Sequence, residues 1–377
     1  MFKIAIDLLW VKHNRIGGVE SYVRNLLDGM KESSESFFLY LIVAKDNYDS
    51  FKKYETDKRF SLIRCNVNAS NSIKAIIWIN LHLDKLVSKL KVDFCFVPNS
   101  RKPFFTNKRN WYVCTIHDLQ ALHYPDYFSK IRNAYLRINW KRLVKSSHKI
   151  IAISNYVKDD IIQNYHVDES KISVIYNPIS TLKEIEPFEN VALKYGITCG
   201  EYFYTVSSLL RHKNTITLLK MMNVFVNERK QKKIKLLISG IKGDHYDFLH
   251  EYIDSHTLGN NCIFTGFVSD AERNTLMKYC KFFLFPSIFE GFGMPVVEAM
   301  RLGAKVITTR YTSIEEVSKG KAIYVNDPFD EKEWIDKIKG MSIASADPSK
   351  FEEYDMYYIA NQYIHLFKEI HKEKTNQ

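Results

Sequence analysis

Twelve short apolar runs recur along this chain, each about the length of a strand, with amphipathic stretches between them. They are KIAIDL (3–8), FFLYLIVA (37–44), VDFCFVP (92–98), WYVCTIHD (111–118), KIIAIS (149–154), ISVIYN (172–177), YFYTVSS (202–208), KIKLLISG (233–240), CIFTGFV (262–268), KFFLFPS (281–287), AKVITT (304–309) and AIYVN (322–326). Most are continuously apolar, as strands covered on both faces are. Parallel strands need a crossover, and stretches such as VESYVRNLLDGM have the amphipathic pattern of a crossover helix. The rhythm stops at a polar break near residues 180–200 and then restarts. The pattern therefore predicts an α/β protein of two Rossmann-like domains with a cleft between them. The expected boundaries are 1–180, 181–355 and a terminal amphipathic helix over 356–377. Ligands of such open sheets bind beyond the carboxyl ends of the strands, so the loops there are where chemistry is sought.

The length of 377 residues suits two domains. Lys and Arg outnumber Asp and Glu by 54 to 43, a net charge of +11. Such a surplus suits phosphates, nucleic acid or an anionic membrane surface, or simply a solvated basic surface. The six cysteines form no C-x-x-C pair and several lie in apolar runs. They read as reduced core residues, with no disulfide frame and no zinc site. The N-terminal MFKIAIDLLWV reads as a first strand rather than a signal peptide. No apolar run reaches the ~20 residues of a membrane span.

The stretch FPSIFEGFGMPVVEAMRLG (285–303) carries the densest chemistry. A helix is expected from Met294, with Pro295 in its first turn and Gly303 as its left-handed C-terminal cap. Residues 290–293 are then a loop at the carboxyl edge of the sheet. Gly291 and Gly293 allow backbone to approach a ligand, and the helix N-terminus adds about half a positive charge. Together they make an anion site suited to a diphosphate. Glu298, placed in the first helical turn, suits a vicinal diol such as a ribose; Glu290 would reach what lies beyond the phosphates. Taken alone, both glutamates are more simply a dipole partner and a solvated loop charge.

The extended pattern E-G-F-G-x-P-x-x-E-A-x-x-x-G resembles the E-x(7)-E signature of retaining GT-B glycosyltransferases of family 4. That resemblance implies that Glu290 meets the donor sugar, Gly291, Phe292 and Gly293 the phosphates, and Glu298 the ribose. RIGGVESYVRNLL is similar to the family's N-terminal loop, which brings Gly17 and Gly18 to the same diphosphate. CTIHDLQALHYPDYFS resembles the H-D-L motif, implying a catalytic position for His117 with Asp118 beside it. VSSLLRHKN resembles the phosphate-binding segment, with Lys213 as the cation. Many members carry arginine where Ser208 stands, so Arg211 or His212 is left to supply a second cation, or none does. FTGFV implies that Phe267 and Val268 pack beside the base. Ser154 is expected to cap a helix, Asn177-Pro178 to form a turn and Glu316 to be structural. As in the family, the terminal helix is expected to cross back onto the N-terminal domain.

The implied function is a sugar-nucleotide-dependent transferase, its first domain holding the acceptor and its second the donor. The H-D-L type of first domain looks like enzymes building bacterial surface polysaccharide, such as lipopolysaccharide O-antigen, often from GDP-mannose or related donors. No metal is expected, since no D-x-D signature stands out, and no cofactor: the nucleotide sugar is a substrate. The chain is expected in the cytoplasm. A sugar-nucleotide epimerase or a phosphorylase of the same architecture is the rival enzyme. A basic nucleic-acid-binding protein is the rival from another class; it lacks a recognised motif. Residues 127–149 hold Lys130, Arg132, Arg137, Lys141, Arg142, Lys145 and Lys149 and no acid. They read either as a core-facing helix with a solvated basic face or as a helix resting on an anionic membrane through Lys141, Arg142 and Lys145.

Overall fold

A computed structural model describes all residues except 13–16, 183, 232, 341–345 and 377. The chain forms two compact units, Met1–Pro178 together with Tyr354–Gln377, and Ile179–Glu353. The first holds seven strands: β1 (Phe2–Asp7), β2 (Phe37–Ala44), β3 (Phe60–Cys65), β4 (Phe94–Val97), β5 (Tyr112–Ile116), β6 (Lys149–Ala152) and β7 (Ile172–Val174). Their order is β3-β2-β1-β4-β5-β6-β7, and every neighbouring pair is parallel. The chain first builds outward from β1 to β3, then returns to lay β4 on the other flank of β1. That reversal is the switch point at which such sheets leave room for a ligand.

The second unit repeats the plan with β8 (Tyr202–Val206), β9 (Lys235–Ser239), β10 (Cys262–Gly266), β11 (Phe282–Phe285), β12 (Val306–Thr309) and β13 (Ile323–Val325). The order is β10-β9-β8-β11-β12-β13, again all parallel, with the switch between β8 and β11. Each of the twelve apolar runs overlaps one of these strands, and β1 begins one residue before its run. The thirteenth, β3, was not anticipated. Its sequence FSLIRC mixes Ser61 and Arg64 among apolar residues, and it lies half-buried at the sheet edge, in register with β2 from Leu39–Phe60 to Ala44–Cys65.

The terminal helix, Met356–Thr375, packs on the first unit against the helix Gly18–Glu32, as expected of it. Asp355 starts it by accepting from the Tyr357 amide. Tyr363, Ile364, Phe367 and Ile370 are buried, each worth about 1.5–3 kcal/mol of apolar transfer. A Cβ on Gly29 would lie 2.3 Å from the Met356 carbonyl oxygen, so the two backbones meet only because this residue has no side chain. All six cysteines are free and four are buried; burial pushes the Cys65 thiol up to about 12 and the Cys114 thiol to about 11. Among the described residues no helix is long and apolar enough to cross a membrane.

Candidate functional site

The site builds from the two strands that flank the switch point of the second unit. After β8 the backbone runs through residues 207–210 into a single 3-10 turn, Arg211–Lys213. After β11 it runs through residues 286–293 into the helix Met294–Arg301. The two loops are joined, because the Ile288 amide donates to the His212 carbonyl at 2.9 Å. Lys213 Nζ donates to Glu290 Oε1 at 2.6 Å, and both side chains are largely shielded from solvent. The Glu290 backbone is fixed on both sides: its amide donates to Thr312 Oγ1 at 3.0 Å and its carbonyl accepts from Ser313 Oγ at 2.9 Å. These two hydroxyls follow β12, and the sequence reading did not find them.

Gly293 has φ +88 and a Cβ there would stand 2.5 Å from Ile314 Cδ1, so the turn into the helix depends on glycine. Glu298 is the fifth residue of that helix and so lies in its second turn, not its first as expected. Helical side chains lean toward the N-terminus, so its carboxylate still leans back toward the strand edge. Glu298 is buried and its Oε1 lies 3.7 Å from Arg273 Nη2; Arg273 also holds Asp270 at 3.0 Å. The Glu298 carboxylate is the main reason the guanidinium pKa is raised. Arg273 lies 25 residues from Glu298 with no local motif to mark it. Phe267 projects from the loop after β10 with 64% of its surface exposed, while Val268 is buried.

The question of a second cation narrows here. His212 is buried, and desolvation first, then Lys213, lowers its pKa to about 4. That favours its neutral form near pH 7 in the ligand-free protein, while Arg211 is exposed. Ser208 and Leu209 are pressed against glycine. A Cβ on Gly243 would lie 2.2 Å from the Ser208 carbonyl oxygen, and one on Gly240 would lie 1.8 Å from that of Ser207. The Ser-Gly dipeptide that ends β9 is a turn signal that marks this loop.

In the first unit the residues singled out follow β1, a switch strand, and β5, one strand beyond the other switch strand β4. Gly17 precedes the helix Gly18–Glu32, and a Cβ on either Gly17 or Gly18 would meet nothing within 4 Å among the described residues. His117 follows β5. Its Nε2 lies 2.9 Å from the Pro98 carbonyl, which can only accept, so Nε2 carries the proton and Nδ1 the lone pair. The Tyr22 ring stands edge-on at 4.9 Å. Desolvation lowers the His117 pKa to about 4. Asp118 accepts from the Gln120 amide. Ser154 caps the helix Asn155–Tyr165 by accepting from the Val157 amide, and the Pro178 carbonyl accepts from Asn25. Glu316 is half-buried on the short helix Ile314–Val317.

Asp7 ends β1 fully buried. Its Oδ1 accepts from the Leu9 amide, its Oδ2 has no partner among the described residues, and burial raises its pKa to about 7. A carboxylate closing an apolar strand is a legible signal that the sequence reading passed over.

The basic stretch forms the helix Lys130–Ser146. Trp140, Leu143 and Val144 face the core; Lys141 and Lys145 are exposed. Arg142 is not available in the same way, since its guanidinium lies 4.0 Å over the Phe104 ring and bonds the Phe104 carbonyl.

The family model described as glycosyl transferases group 1 matches residues 195–355, and the one described as glycosyltransferase family 4 matches residues 16–182. Among curated proteins, the chain is 32% identical over 244 residues to the O-antigen chain mannosyltransferase RfbU of Salmonella typhimurium, covering 65% of this chain and 64% of that one. It is 27% identical over 248 residues to O-antigen chain mannosyltransferase B of Escherichia coli, covering 64% and 62%. The match thus spans less than two thirds of either relative. Among solved structures, Anabaena Alr3699/HepE in complex with UDP and glucose superposes with a TM-score of 0.73 at 17% identity, over 98% of this chain and 100% of that one. WaaG, a glycosyltransferase involved in lipopolysaccharide biosynthesis, superposes at 0.68 and 14%, over 96% and 98%.

Proposed function

The chain belongs to the family 4, group 1 glycosyltransferases, and from that premise we propose that it moves a sugar from a nucleoside-diphosphate sugar to a glycan or lipid-linked glycan in surface polysaccharide assembly. The observation that carries this reading is the 2.6 Å pair of Lys213 and Glu290 at the switch point, with Glu298 following in the helix that starts there.

Transfer breaks the bond between the sugar's anomeric carbon and the diphosphate. Negative charge grows on the departing oxygen. Lys213 and the positive end of the Met294–Arg301 helix are preorganised to accept it, with Arg211 as the further cation. When the diphosphate takes the Lys213 ammonium, Glu290 is released to accept hydrogen bonds from the donor sugar. Glu298, braced by Arg273, accepts from the ribose diol. Neutral His117 contributes through its Nδ1 lone pair as a hydrogen-bond acceptor for a sugar hydroxyl. Its low pKa makes it a poor base, so the acceptor's proton passes to the departing diphosphate oxygen. Attack from that same face retains the anomeric configuration.

The names of the two bacterial relatives favour mannose as the sugar, and GDP-mannose as the first donor to try. A panel of sugar nucleotides is screened for thermal stabilisation of the protein, then for transfer, and the anomeric configuration of the product is read by NMR. GDP-mannose is expected to stabilise most and the product to be α-linked. Stabilisation by no sugar nucleotide would reject the reading; an inverted product would reject the same-face step alone.

A further inference from the structure

The main-chain register of β11 on β12 ends at Phe285 and Thr308. Beyond it, side-chain hydroxyls of β12 and the loop after it take over. Thr308 Oγ1 donates to the Phe285 carbonyl at 2.8 Å, and Thr309 Oγ1 to the Ser287 carbonyl at 2.7 Å. Thr312 Oγ1 accepts from the Glu290 amide at 3.0 Å, and Ser313 Oγ donates to the Glu290 carbonyl at 2.9 Å. Four hydroxyls of the stretch TTRYTS (308–313) thus follow the backbone from the strand end to the glutamate. Ser and Thr hydroxyls commonly bond backbone within a few residues of themselves. These four reach partners 22 or 23 residues away.

The rung at Thr312 is strained. Its φ is +58. A β-branched residue rarely takes the left-handed region, and such strain persists only where the surroundings impose it. Here the following residues impose it. Ser313 is fully buried and tied to Glu290; Ile314 is fully buried, and a Cβ on Gly293 would stand 2.5 Å from its Cδ1. Residues 312–314 therefore clasp both ends of the E-G-F-G loop, with hydroxyls at Glu290 and an isoleucine at Gly293. Thr312 Oγ1 also donates to the Tyr311 carbonyl at 2.7 Å. That bond uses its one proton, so the oxygen meets the Glu290 amide as an acceptor. Glycine would make the same turn without strain; what threonine adds is the oxygen.

We propose that Thr312 is a positioning residue for sugar transfer. Its left-handed turn aims Oγ1 at the Glu290 amide. That bond sets the Glu290 carboxylate against the Lys213 ammonium and, in turnover, against the donor sugar. The role in turnover rests on the transferase reading; the clasp itself needs no substrate. Thr312 acts through Glu290, on the sugar side of the site, so turnover should depend on it more than nucleotide affinity does.

Thr312→Gly keeps the turn and removes the oxygen, while Thr312→Ser keeps the oxygen. Hydrogen exchange of the segment 286–294 is measured by mass spectrometry on the full chain without ligand. Exchange there should be about tenfold faster in Thr312→Gly and parent-like in Thr312→Ser. With the sugar nucleotide that the parent uses, Thr312→Gly should lower kcat roughly tenfold or more. Its KM for that nucleotide should stay within about twofold of the parent's. Thr312→Ser should recover most of the kcat. Thr312→Gly should melt close to the parent, because relief of strain offsets the lost bond and the freer unfolded chain. Parent-like exchange or parent-like kcat in Thr312→Gly would overturn the proposal. So would a Thr312→Ser variant as impaired as Thr312→Gly, or equal losses of kcat and nucleotide affinity, which a general loosening would give. If the parent transfers sugar from no nucleotide, the transferase reading falls and the exchange result alone decides the clasp.

Discussion

The two switch points occupy the same position in equivalent sheets, yet they are built differently. In the second unit the loops after β8 and β11 are tied by a backbone hydrogen bond and a 2.6 Å ion pair, and two hydroxyls of the loop after β12 hold the Glu290 backbone in place. Its glycine at 293 is demanded by the protein's own packing. In the first unit Gly17 and Gly18 face open space, and His117 is held through one ring nitrogen by a carbonyl. One pair of loops is fixed by its own contacts; among the described residues nothing packs against the two glycines of the other.

The contrast is open to attack at several points, taken from the largest expected effect downward. Glu290→Gln keeps the shape of the braced loop but breaks the charge pair with Lys213. Turnover should fall on the order of a hundredfold, with nucleotide affinity changed far less. Steady-state kinetics beside calorimetry decides this, and wild-type turnover would remove Glu290 from the chemistry. Glu298→Ala removes the buried carboxylate and leaves Arg273 with Asp270 as its ion-pair partner. Nucleoside-diphosphate affinity should weaken by about 1.5–3 kcal/mol, while titration curves that overlay the parent's would end the ribose assignment.

The glycines give a smaller and more discriminating test. Gly293→Ala forces a left-handed residue onto Ile314 and should cost about 1–3 kcal/mol of stability. Gly18→Ala should leave the melting temperature as it was and reduce only ligand affinity. If both variants lost stability alike, the first unit's loop would be as preformed as the second's.

Smallest is a pH effect. His117 and His212 both titrate near 4 in the folded protein against an ordinary value of 6.5. As pH falls from about 6.5 toward 4 the unfolded chain takes up protons that the folded chain refuses, so stability falls with pH in that window. His117→Gln should remove part of this acid sensitivity, measured by denaturant unfolding at pH 7 and pH 5. An NMR titration midpoint well above 7 for His117 would mean a charged ring near neutral pH and would undo the acceptor role given to Nδ1.

The sequence by itself determined the strand count to within one, the restart at the polar break, and the loops on which Lys213, Glu290 and Glu298 stand. These are local facts: burial on both faces writes continuous apolar runs, and a turn into a helix writes Gly and Pro. It missed β3 because an edge strand needs only one partner and tolerates Ser61 and Arg64. Tertiary structure alone decided which side chains brace the site. Arg273 on Glu298, Thr312 and Ser313 on Glu290, and Arg142 on Phe104 come from distant segments. It also decided that His212 is held toward its neutral form, because burial in the fold, which no window around it reveals, opposes the charge. Spacing along the chain fixes what a residue can be; the free energy of its charge is fixed by whatever the fold packs against it.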